Sequence, residues 1–199
     1  MEKDSVLAIF KETGALLEGH FQLTSGLHSN QYFQCAKVLQ YPKHCELLCG
    51  DIAAQFPAGT VDVVIAPAMG GIVVAQEVGR QLRARTLFAE RKDGAMQLRR
   101  GFTIRTEERV VVCEDVVTTG GSVNEVIGIV TGCGGKVVGT GYIVDRSGGR
   151  VSFPMEPGGK QYAVLHMDVV TYKPEECPLC KAGSLPVKPG SRGNYAAAQ

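Results

Sequence analysis

Apolar and polar positions along the chain fall into short apolar runs that alternate with stretches of helical periodicity. Apolar residues recur every three or four positions in the stretches 42–56, 72–82 and 123–130, which predicts helices there. The apolar runs are short enough for buried strands, and they are Val61–Ala66, Thr86–Ala89, Val110–Cys113, Lys136–Val144 and Tyr162–Met167. This alternation predicts a doubly wound α/β domain with a mainly parallel five-stranded sheet.

Two further segments lie outside this alternating pattern. Phe21 and Leu23 alternate with polar residues, Thr24-Ser25-Gly26 is typical of a turn, and Gln31 to Val38 is predicted as a second strand. A hairpin ahead of the main sheet predicts a small separate layer, an N-terminal hood. We expect one domain over residues 1–175, and an irregular tail over 176–199, which is rich in Pro, Gly and small residues.

The charge balance changes the range of partners that we expect. Lys and Arg together number 21 and Asp and Glu 20, so a general affinity for nucleic acid or a membrane surface is not expected. The N-terminal residues do not resemble a signal peptide, and no apolar stretch is long enough to cross a bilayer. We expect a cytoplasmic protein whose seven cysteines are reduced.

The richest candidate chemistry lies in the segment RVVVCEDVVTTGGS, residues 109–122. An apolar run ends in two adjacent carboxylates, Glu114 and Asp115, and a hydroxyl- and glycine-rich turn leads into a helical pattern. Free N–H groups and the positive end of the helix dipole make such a turn a phosphate site. Carboxylates repel phosphate but accept hydrogen bonds from vicinal hydroxyls, so the order of the two parts favours a sugar phosphate. A Walker A lysine and the GxGxxG spacing are absent, which disfavours nucleotide triphosphates and dinucleotides.

The segment resembles the 5-phosphoribosyl-1-pyrophosphate (PRPP) signature of type I phosphoribosyltransferases, position by position over about a dozen residues. The resemblance implies that Glu114 and Asp115 bind the ribose hydroxyls of PRPP. It also implies that the 5′-phosphate is held by the loop that follows Val116 and Val117, namely Thr118, Thr119, Gly120, Gly121 and Ser122.

Two other places resemble orotate phosphoribosyltransferases in particular. The first is the hood sequence F-x-L-x-S-G-x-x-S-x-x-Y-F, which implies that Ser25 and Gly26 contact the base. The second is Arg146, which follows the strand after the signature; with Thr118 it would orient orotate. The planar guanidinium matches a carboxylate in bidentate fashion, which lysine cannot do. Thr24 stands where familiar bacterial members often carry lysine.

The resemblance also predicts how the pyrophosphate is held. Ala68-Met69-Gly70-Gly71 corresponds to the family's pyrophosphate loop, and Ala68–Met69 to its non-proline cis peptide bond, although familiar members tend to have lysine where Gly70 stands. The basic segment after residue 90 corresponds to a mobile loop that reaches a neighbouring subunit's site. It supplies the residues expected to act in catalysis: Arg91, Lys92 and Arg100. The resemblance further implies a homodimer and a Mg²⁺ ion held mainly through PRPP, with no direct protein ligand assigned.

Two other functions share parts of this pattern. A purine phosphoribosyltransferase would have the same signature but would not need Arg146 or the hood sequence. A regulator that senses PRPP and binds nucleic acid would keep the fold, but it is expected to be strongly basic or to carry an added DNA-binding domain.

Cys177-Pro-Leu-Cys180 in the tail has the spacing of half a zinc site. A structural zinc site needs four ligands. Because the chain has no second C-x-x-C or H-x-x-x-H pair, a zinc site is expected only if two subunits share it or if it forms adventitiously.

Overall fold

Two sheets organise the computed structural model, which describes residues 1–23 and 25–189. The strands of the described residues are β1 (Leu16–Gln22), β2 (His28–Phe33), β3 (Val63–Pro67), β4 (Arg85–Lys92), β5 (Ala95–Leu98), β6 (Arg109–Val117), β7 (Lys136–Asp145), β8 (Lys160–His166) and β9 (Thr171–Tyr172). The helices are α1 (Lys3–Glu12), α2 (Ala36–Leu39), α3 (Pro42–Ala53), α4 (Gly70–Leu82), α5 (Gly121–Gly132) and α6 (Pro178–Lys181), with a 3₁₀ turn at Pro174–Glu176.

The central sheet has the strand order β5-β4-β3-β6-β7-β8. The predicted α/β fold with a mainly parallel sheet is confirmed, and five of the strands are parallel. The sixth, β5, was not predicted, and it pairs with β4 in antiparallel fashion. Asp93 and Gly94 form the two-residue turn between them, with φ angles of 53° and 84°. Asp-Gly favours this type of hairpin turn, so β5 extends the edge of the sheet where a loop was expected.

Successive residues of β3 face opposite sides of the sheet and enter separate apolar layers. Val64 and Ala66 pack with α3 and α4, whereas Val63 and Ile65 pack with α5. The four side chains are fully buried, and burial of one Val or Ile side chain is worth about 1.5–3 kcal/mol. Helices on both faces bring the carboxyl ends of the parallel strands to one edge, where ligands bind in open α/β sheets.

The hood is a three-stranded antiparallel sheet of order β1-β2-β9. A hairpin was predicted correctly, but its second strand runs from His28 to Phe33, and α2 occupies Ala36–Leu39 where the strand was expected to continue. Thr24, in the predicted turn, lies outside the described residues.

The described part of the tail, up to residue 189, is more ordered than predicted. It contains α6 and pairs with the hood, since Val187 N donates to His20 O and Gln22 N donates to Val187 O, both at 2.8 Å. Apart from α6 and this pairing, the described tail forms no regular element, so its irregular character stays a prediction, and residues 190–199 lie outside the described part. None of the helices in the described ranges is long and apolar enough to cross a membrane.

Candidate active site

Strand β6 lies between β3 and β7 and carries the two predicted carboxylates near its C-terminal end. Glu114 is buried, and its Oε1 accepts a hydrogen bond from Asp115 N at 3.0 Å. Asp115 is partly exposed, and its Oδ1 accepts from Val116 N at 2.9 Å. Both side chains are therefore oriented by backbone N–H groups of their own strand.

Burial raises the pKa of the Glu114 carboxyl well above its ordinary value, and the nearby Asp115 carboxylate raises it further. A carboxyl that keeps its proton can donate as well as accept a hydrogen bond. This environment suits a ligand with hydroxyl groups, and it holds less negative charge next to the phosphate loop than two ionised acids would.

The predicted phosphate loop runs from the end of β6 into α5. A cavity of about 230 Å³ lies here, lined by residues 116–123 together with Glu114 and Glu125. Gly120 has a φ of 75°, and a Cβ at this position would lie 2.7 Å from Phe153 and 2.8 Å from Val151. Glycine is thus required both by the backbone conformation and by the close approach of two side chains. The start of α5 lines the cavity and has no side-chain cap, and the N–H groups of a helix's first turn are the donors that a phosphate site needs.

The β3–α4 loop meets the carboxylates from the neighbouring strand. Its Ala68–Met69 peptide bond is cis, as the family resemblance predicted. Met69 is 82% exposed, and Ala68 N donates to Ala89 O at 2.7 Å. A Cβ on Gly71 would lie 3.1 Å from Glu114 Oε1, so the loop backbone packs directly against the buried carboxyl group.

Arg146 follows β7 at the same edge of the sheet, and its backbone N donates to Val117 O at 2.8 Å. Burial lowers the pKa of its guanidinium, while electrostatic interactions with Tyr32 and Cys35 act to raise it. Among the described residues, its buried Nε has no hydrogen-bond partner. A buried guanidinium donor of this kind needs an acceptor, and a ligand carboxylate would supply one.

The loop that carries Arg146 is held in place by Asp145, whose side chain is fully buried. Asp145 accepts from Ser147 N at 2.7 Å and Gly149 N at 2.9 Å, and it lies 3.0 Å from His166 Nδ1. Burial acts to raise the pKa of Asp145, but these hydrogen bonds outweigh it and hold the pKa below its usual value. The network therefore fixes the backbone on either side of Arg146.

The hood turn contains the other two residues that are predicted to contact the base. Gly26 has a φ of 83°, and its N donates to Leu23 O at 2.9 Å. Ser25 is exposed, and its Oγ accepts from Leu27 N at 3.5 Å. These contacts close the turn on itself, and the role of Ser25 and Gly26 in base binding stays a prediction.

The basic residues predicted to act in catalysis lie on the β4–β5 hairpin and just beyond it. Arg91 pairs with Glu125 at 2.5 Å, which places it beside the phosphate cavity. Arg100 pairs with Glu90 at 2.9 Å and lies 5.5 Å from the ring of Phe88. Lys92 is exposed. The catalytic role of all three stays a prediction.

The sequence reasoning did not identify Glu125 as a residue of this cavity. It is the fifth residue of α5, three positions after Ser122, so its place beside the phosphate loop follows from the helical period. Its carboxylate accepts a hydrogen bond from Arg91 and forms an ion pair with it.

Comparison with known proteins agrees with this geometry. A family model described as the phosphoribosyl transferase domain matches residues 38–152. Proteins named orotate phosphoribosyltransferase are similar over nearly the whole chain. One from Chlorobium phaeobacteroides is 57% identical over 194 residues, covering 98% of both chains. Another, from Pelotomaculum thermopropionicum, is 57% identical over 192 residues, covering 96% of this chain and 99% of that protein.

Solved structures share the fold at lower identity. Orotate phosphoribosyltransferase from Aeropyrum pernix superposes with a TM-score of 0.67 at 24% identity, covering 81% of this chain and 93% of that one. Adenine phosphoribosyltransferase from Rhodothermus marinus gives 0.66 at 18% identity, covering 82% of this chain and 99% of that one. Two base specificities on one fold show that the architecture alone does not select the base. With the full-length similarity and the matched domain, the chain belongs to the phosphoribosyltransferase family, among the orotate phosphoribosyltransferases.

Proposed function

We propose that this protein transfers the phosphoribosyl group of PRPP to orotate, giving orotidine 5′-monophosphate and pyrophosphate, a step of pyrimidine biosynthesis. One observation carries the proposal: the buried Nε of Arg146 has no hydrogen-bond partner among the described residues. Arg146 lies next to the end of β6, where its backbone N donates to Val117 O. The near-full-length similarity to orotate phosphoribosyltransferases supports the same choice of base.

PRPP binds along the C-terminal edge of the sheet. Glu114 and Asp115 accept hydrogen bonds from the ribose hydroxyls, and residues 118–122 hold the 5′-phosphate in the cavity at the start of α5. The backbone around Ala68 and Met69 faces the pyrophosphate. Because Glu114 and Asp115 are fixed by backbone N–H groups, they hold the ribose in one orientation for the reaction.

Orotate lies between the Arg146 loop and the hood. The guanidinium of Arg146 binds the orotate carboxylate, and Thr118 with the hood turn at Ser25 and Gly26 completes the contact. A ring nitrogen of orotate attacks C1′ of the ribose and releases its proton to solvent, while the bond from C1′ to the pyrophosphate oxygen breaks and its electron pair leaves with pyrophosphate. Positive charge grows on the ribose ring during this step, and the Asp115 carboxylate beside the ribose hydroxyls stabilises that charge.

Arg91, Lys92 and Arg100 stabilise the departing pyrophosphate. Arg91 is paired with Glu125 and Arg100 with Glu90, and both arginine side chains are exposed. Ion pairs of exposed side chains contribute little to stability, so a highly charged ligand can displace them. We propose that the basic hairpin acts on the site of a second subunit in a homodimer.

Magnesium is the cofactor we propose. The cavity offers carboxylate oxygens and backbone groups, and hard oxygen ligands of this type suit Mg²⁺ together with substrate phosphates. The ion would be held mainly by oxygens of PRPP, close to Glu114 and Asp115. When bound, it neutralises charge on the pyrophosphate and so makes it a better leaving group.

The direct test is loss of orotate absorbance on mixing the protein with PRPP and Mg²⁺, with adenine, guanine, hypoxanthine and uracil in parallel reactions. We expect consumption of orotate alone, and none when Mg²⁺ is withheld. Consumption of another base would retain the PRPP site and contradict the role of Arg146. Binding of PRPP without turnover of any base would instead support a regulator that senses PRPP.

A further inference from the structure

Two histidines of the hood and two cysteines of the tail point their side chains at one place. In sequence, all four are distant from the residues that line the phosphate cavity. The ligand atoms of His20, His28, Cys177 and Cys180 all lie within 4.8 Å of one another. His20 lies on β1 and His28 on β2, while Cys177 directly precedes α6 and Cys180 lies within it. His20 and Cys177 are 157 positions apart in sequence. The tertiary fold therefore joins groups that no local motif connects.

Three distances within this cluster fall in the range expected for ligands around one tetrahedral ion, while the two histidine nitrogens lie closer together than that range. With metal bonds of about 2.0–2.1 Å to nitrogen and 2.3 Å to sulfur, tetrahedral ligands lie about 3.3–3.8 Å from one another. Sγ of Cys177 lies 3.6 Å from His20 Nε2, and Sγ of Cys180 lies 3.7 Å from the same atom. Cys180 Sγ is 3.3 Å from His28 Nδ1, and the two histidine nitrogens are 2.9 Å apart.

The outer contacts of His20 prepare it to act as a ligand. Its Nδ1 lies 3.0 Å from the carbonyl oxygen of Ser184, which can only accept a hydrogen bond. We therefore assign the proton of the neutral ring to Nδ1, which leaves a lone pair on Nε2 directed at the cluster. A backbone carbonyl bound to the second ring nitrogen is the usual support of a histidine that binds metal.

Burying these polar groups costs free energy unless each of them has a hydrogen-bond partner or a bound metal ion. His20 is 6% exposed, His28 4% and Cys177 0%. Four soft or borderline donors that converge on one place, three of them buried, and that include a C-x-x-C pair favour zinc over hard cations such as Mg²⁺ or Ca²⁺. We propose that His20, His28, Cys177 and Cys180 bind one Zn²⁺ ion in a structural site that attaches the tail to the hood.

This proposal revises the expectation drawn from the C-x-x-C pair alone. A metal at Cys177 and Cys180 was expected to need a second subunit, because the chain lacks another local pair of ligands. The chain does lack a second local pair, but two histidines that are distant in sequence offer the two remaining donor atoms within one chain. Four protein ligands leave no position open for a substrate, so the ion is structural and takes no part in chemistry.

The position of the site gives it a role in shaping the hood. His20 and His28 stand on either side of the turn that contains Ser25 and Gly26, and Val187 pairs with β1 next to His20. An ion bound to both strands and to the tail would fix the base of this turn. Loss of the ion should therefore loosen the hood and the tail together while the central sheet stays folded.

The test is the metal content of the full chain, produced in zinc-supplemented medium and freed of loosely bound metal on a desalting column. We expect inductively coupled plasma mass spectrometry to find about one zinc per chain in the wild-type protein. Cys177→Ser and Cys180→Ser should each lower this content at least about tenfold. Cys133→Ser, at an exposed cysteine outside the cluster, is the matched control and should keep its zinc.

A second measurement keeps the proposal testable if the serine variants fail to fold. Wild-type protein produced with cobalt in place of zinc should show the visible bands of tetrahedral Co²⁺ and a thiolate-to-cobalt charge-transfer band. Wild-type protein without bound metal and without these bands would overturn the proposal. Zinc retained in the Cys177→Ser and Cys180→Ser double variant would also overturn it, as would a Cys177–Cys180 disulfide in the purified chain. Because the readout is metal content, failure here is distinct from failure of the proposed transferase activity.

Discussion

The carboxylate of Asp115 occupies the space above Gly70 where any other residue would place its Cβ. A Cβ at position 70 would overlap Asp115 Oδ2 and would lie 2.6 Å from Asp115 Cγ. The loop after β3 and the acidic pair of β6 are therefore in direct contact. The observed orientation of Asp115 therefore requires glycine at position 70, because any other side chain there would displace the carboxylate.

The first prediction follows from this contact. Gly70→Ala should displace the Asp115 carboxylate and so weaken its hold on the ribose of PRPP, with kcat/KM for PRPP falling about 10- to 100-fold. Gly128→Ala is the control, because a Cβ there meets nothing within 4 Å. Steady-state kinetics at saturating orotate measure the effect. Equal kinetics for both variants would show that the carboxylate does not contact PRPP.

Arg146 offers a test of base recognition. Arg146→Lys keeps a positive charge but loses the planar pair of donors, so we expect kcat/KM for orotate to fall about 100-fold or more while PRPP affinity is unchanged. Calorimetric titration with each ligand separates the two effects. Arg150→Lys, four positions further along at an exposed arginine, should leave both unchanged. A parallel loss of PRPP affinity in the Arg146 variant would contradict its assignment to orotate.

Gly120 tests the shape of the phosphate loop. Gly120→Ala combines a φ of 75° with contacts of 2.7 Å and 2.8 Å to neighbouring side chains, so it should destabilise the fold by about 2–4 kcal/mol and weaken PRPP binding. Gly59→Ala has nearly the same φ, 74°, but its Cβ meets nothing within 4 Å, and it should cost only about 1 kcal/mol. Urea unfolding of both variants isolates the steric part, which would be absent if their stabilities were equal.

The pair of Asp62 and Arg109 predicts a pH dependence of stability. Three hydrogen bonds from Arg109 lower the pKa of Asp62 from 3.8 to about 2. Because the folded pKa is the lower one, the pair stabilises the fold above about pH 4, and this contribution is lost as the pH falls towards 2. Since the pair is partly exposed, we expect Asp62→Asn to cost only about 1 kcal/mol at neutral pH.

The comparison that checks this is urea unfolding between neutral and acid pH. The variant should show a flatter decline of stability below about pH 4 than the wild-type protein. Asp93→Asn, in the exposed β4–β5 turn, should follow the wild-type curve. If the stability of Asp62→Asn fell below about pH 4 as steeply as that of the wild-type protein, other carboxyl groups would account for the whole decline.

A complementation experiment tests whether the basic hairpin acts on a second subunit. The Arg91→Ala and Lys92→Ala double variant and the Arg146→Ala variant should each be inactive. Refolding or co-expressing them together should restore about a quarter of wild-type activity, because half of the dimers are mixed and each mixed dimer has one intact site. Mixed dimers that form without regaining activity would show that the hairpin acts on its own subunit.

Local sequence patterns were sufficient for the parts of the molecule whose residues are neighbours in the chain. The run from Arg109 to Ser122 specifies strand, acidic pair, phosphate loop and helix within 14 residues, so its period and turn residues predict its structure. The cis bond at Ala68–Met69 and the place of Arg146 after β7 followed from family resemblance on equally local motifs. Even the missed strand β5 had a local signal in Asp93-Gly94.

Only the tertiary structure could decide the contacts between distant segments. The close approach of Gly70 to the Asp115 carboxylate depends on two neighbouring parallel strands that are separated by more than forty residues of chain. The cluster of His20, His28, Cys177 and Cys180 depends on the tail folding back onto the hood. Periodicity in a sequence reports which face of an element is apolar, but it carries no information on which other element packs there. Side-chain sites built across such packing become visible only once the chain is folded.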